Sequence, residues 1–147
     1  MLKEKIQLLA KQYAAEFIEV RHHLHAHPEL SYAEFETSKF VQNKLAAFNI
    51  PFEVLATTGV VGIIEGKNPS KKIIALRADM DALPIQEVNG FAHRSIHDGL
   101  MHACGHDGHT AMLMAAAQYI AKELDFSGTL KLIKQDLLNH ELGAAGV

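Results

Sequence analysis

The chain has 147 residues and a single cysteine, so no internal disulfide can form and a reducing compartment is expected. It has no run of about 18 apolar residues, which excludes a conventional transmembrane helix. The longest candidate, AMLMAAAQYIA from Ala111 to Ala121, is too short. The N-terminal MLKEKIQLLAKQYAAEF carries charges every few residues and lacks the apolar core and cleavage site of a secretory signal. A cytoplasmic location away from membranes is therefore expected. A strong positive balance is also missing: the net charge is -3, which argues against a broad nucleic-acid-binding surface. No repeat or low-complexity segment is visible. The remaining composition, 48% hydrophobic and 21% charged, is ordinary for one globular domain. A chain of this length can bury a sizeable core without a structural metal.

Histidine stands out against this background. There are ten, four of them between His22 and His27 and five between His93 and His109. Leu2, Ile6, Leu9, Tyr13, Phe17, Val20 and Leu24 recur at helical steps and predict a first helix that closes at Pro28. Ser31 and Glu34 have the spacing of a capping box, with Leu30 and Phe35 as a hydrophobic staple, for a second helix that ends at Asn49–Pro51. Phe52, Val54 and Ala56 alternate like a strand, Thr57-Thr58-Gly59 reads as a turn, and Val60–Ile64 as a second strand. After turn formers at Gly66–Ser70, Ile73–Ala78 reads as a central strand. Leu83–Cys104 reads as a long loop, Thr110–Leu124 as a deeply buried helix, and Thr129–Ile133 as a last strand. The class is α/β, with helices on a mixed sheet.

Chemistry concentrates in MHACGHDGHTA. Cys104, His106 and His109 are ligand types suited to zinc and similar ions, and Cys-x-His spacing puts two side chains on one face of an extended segment. Gly105 and Gly108 let the backbone bend closely there. Other roles stay open at this point: Cys104 as a small buried hydrophobe or as a nucleophile activated by His106 or His109, and the histidines as caps or solvated groups. Asp79 and Asp81 end a strand where open α/β sheets place their sites, as metal ligands, as carboxylates orienting a histidine, or as cap and solvated group. His22, His23, His25 and His27 end a helix, point in different directions and read as structural.

Three segments, RHHLHAHPELSYAEFET (Arg21–Thr37), LRADMDALPIQE (Leu76–Glu87) and MHACGHDGHTAML (Met101–Leu113), follow in order at suitable distances. Together they resemble the N-terminal part of the M20 metallopeptidase family, in particular its amidohydrolases acting on N-acyl amino acids, such as hippurate and auxin-conjugate hydrolases. The resemblance covers residues 1–133 and implies an incomplete zinc-peptidase-like α/β catalytic domain. It implies two divalent metals per site (zinc, manganese or cobalt), a bridging water that attacks the amide, and a glutamate base. By this resemblance Cys104 and His106 match metal ligands, and Asp81 matches the aspartate behind the metal site. Asp79 stands where other branches have a metal-binding histidine, and His109 matches a family position; neither is assigned as a ligand.

The pattern departs after TLKLI. Relatives continue Phe-Gln-Pro-Ala-Glu-Glu, whereas this chain reads KQDLLNHELGAAGV. Gln135 is retained, the paired glutamates are not in register, and Glu141 is the one candidate for a shifted remnant. Residues 134–147 are thus expected to be a divergent tail, with the lid or dimerisation domain absent. The implied parent activity is hydrolysis of a small N-acyl amino acid to a carboxylate and a free amino acid. This chain itself is expected to be a truncated or frameshifted form with little or no activity. The alternative is a non-catalytic metal-binding module or one that forms a homo-oligomer through an unpaired sheet edge.

Overall fold

A computed structural model of the chain describes residues 1–123 and 125–135. Helix α1 spans Leu2–Ala26, α2 Phe35–Ala47 and α3 His106–Glu123. Strands β1 (Phe52–Leu55), β2 (Gly59–Glu65), β3 (Asn68–Ala78) and β4 (Ser127–Lys134) form one sheet in the order β1-β2-β4-β3. The fold is α/β with a mixed sheet, as the pattern predicts. Strand β4 runs antiparallel to β2 and parallel to β3. A parallel neighbour needs a crossover, here supplied by the loop after β3 and by α3. No helix among the described residues is long and apolar enough to cross a membrane.

The core forms where amphipathic faces meet. Phe17, Val20 and Leu24 of α1, Val41 and Leu45 of α2, and Met114 and Ala117 of α3 pack with Val60, Ile64, Leu130 and Leu132 of the sheet. The predicted stripe of α1 is fully buried only in its C-terminal half; nearer the start, Leu9 and Tyr13 are half-buried and Ile6 is exposed.

Four local expectations are corrected. Ser31 does not cap α2: Tyr32 adopts a φ of 65° and turns the chain, so the Ser31 hydroxyl donates to Asp81 Oδ2 at 3.1 Å. The free N–H groups of α2 instead find Glu29, which accepts from Glu36 N at 3.1 Å and Thr37 N at 2.8 Å. Phe35 is exposed and forms no staple. Glu34 is buried and accepts from Thr58 Oγ1 at 3.0 Å, tying α2 to the β1–β2 turn. The third correction concerns β3, which begins at Asn68 inside the expected turn. Among the described residues it is, like β1, an outer strand rather than a central one, with Ile73, Ile74 and Leu76 exposed. Finally, α3 begins at His106, so its first turn holds residues expected in an extended segment.

Candidate metal centre

The carboxyl end of β3 and the first turn of α3 meet at one point. Met80 is buried in the core between Asp79 and Asp81, while the two aspartates meet histidines of α3. Thr110 Oγ1 donates to the Asp79 carbonyl at 2.7 Å, and Ala82 N donates to the Glu29 carbonyl at 2.7 Å, so both ends of this segment are pinned. Gly105, at a φ of 93°, makes the bend that starts α3; this region of φ suits glycine.

His106 is buried, and its Nδ1 lies 2.7 Å from Asp81 Oδ1 and 3.0 Å from the Asp81 carbonyl. Both partners are acceptors, so Nδ1 carries the proton and Nε2 keeps its lone pair in the neutral ring. That Nε2 is 3.8 Å from Asp79 Oδ1. His109, one turn along α3 and half exposed, places Nδ1 2.8 Å from the same Oδ1. Ligand atoms of Asp79, His106 and His109 all lie within 4.8 Å of one another. Burial works to raise the Asp79 pKa, but the His109 hydrogen bond, a backbone hydrogen bond and the two nearby imidazoles outweigh it, holding the carboxyl below its ordinary value.

Cys104 is exposed on the loop just before α3 and is not a member of this group. Asp81 is not one of the three but contacts His106 at Nδ1 and accepts from Ser31. Glu141 lies outside the described residues. His102 is 5% exposed, and neither ring nitrogen has a hydrogen-bond partner; burial pushes its pKa down to about 4. The earlier histidines point different ways, as expected for a helix end. His27 Nδ1 donates to the His23 carbonyl at 2.7 Å, His23 stacks on Phe40, and His22 stacks on His93 with ring centroids 3.7 Å apart. His25 turns inward to Asp107 and Glu87.

Sequence reasoning passed over Asp79 and His109 as a converging pair. The signal was the three-residue step from His106 to His109, which brings side chains together only on a helix. The helix is expected only from Thr110, four residues after its true start.

Residues 75–136 match the model of peptidase family M20/M25/M40. The chain is 47% identical over 121 residues to a hippurate hydrolase of Campylobacter jejuni, covering 82% of this chain and 31% of that protein. It is 43% identical over 137 residues to an N-acyl-L-amino acid amidohydrolase of Geobacillus stearothermophilus, covering 92% of this chain and 37% of that protein. Among solved structures it is similar to the Bacillus subtilis YXEP protein, described as a dinuclear metal binding peptidase from the M20 family. The TM-score is 0.84 with 36% identity, over 92% of this chain and 41% of that one. The chain thus spans about a third of the length of the curated relatives it matches.

Proposed function

The chain belongs to peptidase family M20/M25/M40, and on that premise we propose that it carries part of a metal-dependent amidohydrolase site for small N-acyl amino acids. The observation that supports this most is the convergence of Asp79, His106 and His109 at the end of β3, with Asp81 fixed on the far side of His106. A divalent ion fits these residues chemically: a carboxylate and neutral imidazoles are ordinary donors for zinc, manganese or cobalt. Asp81 leaves His106 Nε2 as the donor, as the hydrogen-bonded partner of a metal-bound histidine does. Cys104 and His106 are the proposed ligands by resemblance, and Asp79 and His109 join them by position.

Bound there, such an ion supplies a Lewis acid and an activated water. The chain's own residues supply orientation. Asp81 holds the His106 tautomer, Ser31 holds the Asp81 carboxylate, and Thr110 holds the backbone at Asp79. In the parent reaction the N-acyl amino acid is cut to a carboxylate and a free amino acid, in the cytoplasm. The paired glutamates that resemblance assigns as base and ligand do not follow β4 in this sequence. The 147-residue chain is therefore expected to bind metal yet hydrolyse an N-acyl amino acid little or not at all.

The test is a Co²⁺ titration of the purified chain beside Asp79→Asn and His106→Ala, with hippurate hydrolysis measured in parallel. Stoichiometric uptake that each substitution weakens at least about tenfold is expected, since even partners of ligands are worth about 10–100-fold. Uptake unchanged in both variants would refute the site. Chelator-sensitive hydrolysis, abolished by Cys104→Ala, would refute the low activity.

A second reading, a non-catalytic self-associating module, draws on one observation: outer strand β3 exposes Ile73, Ile74 and Leu76. Light scattering with and without metal separates the two, because a monomer at all concentrations leaves only the first.

A further inference from the structure

Beside the metal centre lies a buried ionic group that neither the resemblance nor the proposed ligand set uses. His25, on the last turn of α1, is 7% exposed, and both of its ring nitrogens face carboxylates. Nδ1 is 2.9 Å from Asp107 Oδ2, and Nε2 is 3.1 Å from Glu87 Oε1. Arg21 Nε adds a contact of 3.3 Å to the same Asp107 oxygen. Glu87 also accepts from Asn89 Nδ2 at 2.8 Å and from the Ser95 N–H. An ionised carboxylate can only accept, so two such neighbours require both ring nitrogens to donate, and His25 sits there as the imidazolium. The electrostatics agree. Burial favours the uncharged forms but is outweighed: the hydrogen bonds to Glu87 and Asp107 raise His25, and those from the Ser95 N–H, Asn89 and His25 hold Glu87 at about 2.

The three partners come from three places. His25 belongs to α1, Glu87 to the long loop between β3 and α3, and Asp107 to the first turn of α3, next to His106. That loop contains no helix or named strand, and it ends on Cys104 and Gly105. Its other backbone ties are few, among them the Leu83–Met101 pair and Ile96 N donating to the Ala26 carbonyl.

We infer that His25 is a positioning residue: its imidazolium clamps Glu87 to Asp107 and so fixes the Cys104 loop and the His106 turn relative to each other. This rests on the metal-site reading above. A buried charged group of this kind sets geometry more than it adds stability. Glutamine is neutral and donates from a single nitrogen, so it cannot replace charged donors on both sides of the ring; His25→Gln loses the bridge between the two carboxylates, each left to its remaining partners, and frees the loop.

The full chain is tested with Co²⁺ alone, by titration and by its visible absorption, beside amide hydrogen exchange. Circular dichroism checks that each variant folds. In His25→Gln, Co²⁺ affinity is expected to fall at least about tenfold, as for other groups that orient ligands. The absorption band is expected to shift, and the Ser95 and Ile96 amides to exchange faster while those of β2 and β4 do not. The double variant His25→Gln, Glu87→Gln removes one buried charge of each sign and should recover much of the affinity. A folded His25→Gln with wild-type affinity and spectrum overturns the inference. If that variant fails to fold, Glu87→Gln takes its place, and unchanged affinity and spectrum there overturn it equally. Uptake by the wild type that Asp79→Asn and His106→Ala leave intact removes the metal-site reading beneath it; a wild type that takes up no Co²⁺ does the same.

Discussion

Lys134 is the last residue of β4 and only 1% exposed, and its Nζ donates to the Thr110 carbonyl at 2.7 Å. Among the described residues no carboxylate pairs with it. Burial alone pushes its pKa well below the ordinary lysine value. Between the lowered native pKa and the unfolded value, the unfolded chain binds a proton there that the native chain does not. Native stability must therefore rise with pH, from the lowered native pKa up to the unfolded value near about 10.4. One proton corresponds to a slope of about 1.4 kcal/mol per pH unit. The substitution Lys134→Met keeps the volume, removes the proton and leaves the Thr110 carbonyl its intrahelical partner in α3. The variant should be the more stable protein at neutral pH. Its advantage should shrink by about 1.4 kcal/mol for each unit of pH inside that window. Urea unfolding of both proteins from pH 7 to about 9.5, in metal-free buffer, reads the difference directly. Other titrating groups cancel between the two proteins. Curves that stay a constant distance apart would show that Lys134 keeps its proton in the native state or is not buried there, and would refute the reasoning.

Two further outcomes follow from single contacts. Asp81→Asn keeps an acceptor for His106 Nδ1 but loses its charge, so Co²⁺ affinity should fall about 10–100-fold with little change in melting temperature, as read by titration and calorimetry. Gly128→Ala sets a Cβ 2.3 Å from the Lys72 carbonyl at a φ of 93°, where the backbone has no room to yield. A loss of at least about 2 kcal/mol is expected from chemical unfolding, as for other core-strain substitutions; an unchanged midpoint would contradict the tight β3–β4 approach.

The periodic signals carried most of the architecture, because burial of one face imposes them directly. The apolar spacing of Phe17, Val20 and Leu24 and the run at Val60–Ile64 lie where they are expected; the alternation of Phe52, Val54 and Ala56 marks a strand but not its burial, since Val54 is exposed and Ala56, at a φ of 50°, already turns. What escaped was decided by contacts far apart in sequence or by single backbone angles. The Ser31–Glu34 spacing satisfies a capping box, yet Tyr32 turns the other way and Glu29 supplies the cap. The run Ile73–Ala78 is as apolar as a central strand, but a side chain's hydrophobicity does not say whether a neighbouring strand is present on both sides. At the site, Asp81 was read as standing behind a ligand, and a hydrogen bond to His106 now gives that reading a geometry to test. The Asp79–His109 approach depends on where α3 begins, at His106 rather than at the expected Thr110. His25 was read as structural with its neighbours; nothing in RHHLHAHP distinguishes the one imidazole that turns inward toward two carboxylates.

The parallel pairing of β3 with β4 has a kinetic consequence. Antiparallel β1 and β2 meet through a short turn, so they can zip up early and locally. Strand β3 can join β4 only after the intervening loop and α3 have been brought round, which carries a large closure entropy and makes this pairing an intrinsically slow step. Asp79 and the first turn of α3 face each other only once that step is complete. An ion that requires both should then bind the finished molecule and not its precursors, drawing the population forward by mass action and slowing escape from the native state. The rate at which metal affinity appears during refolding thus reports closure of the crossover, a step that far-ultraviolet signals from α1 and the hairpin would miss.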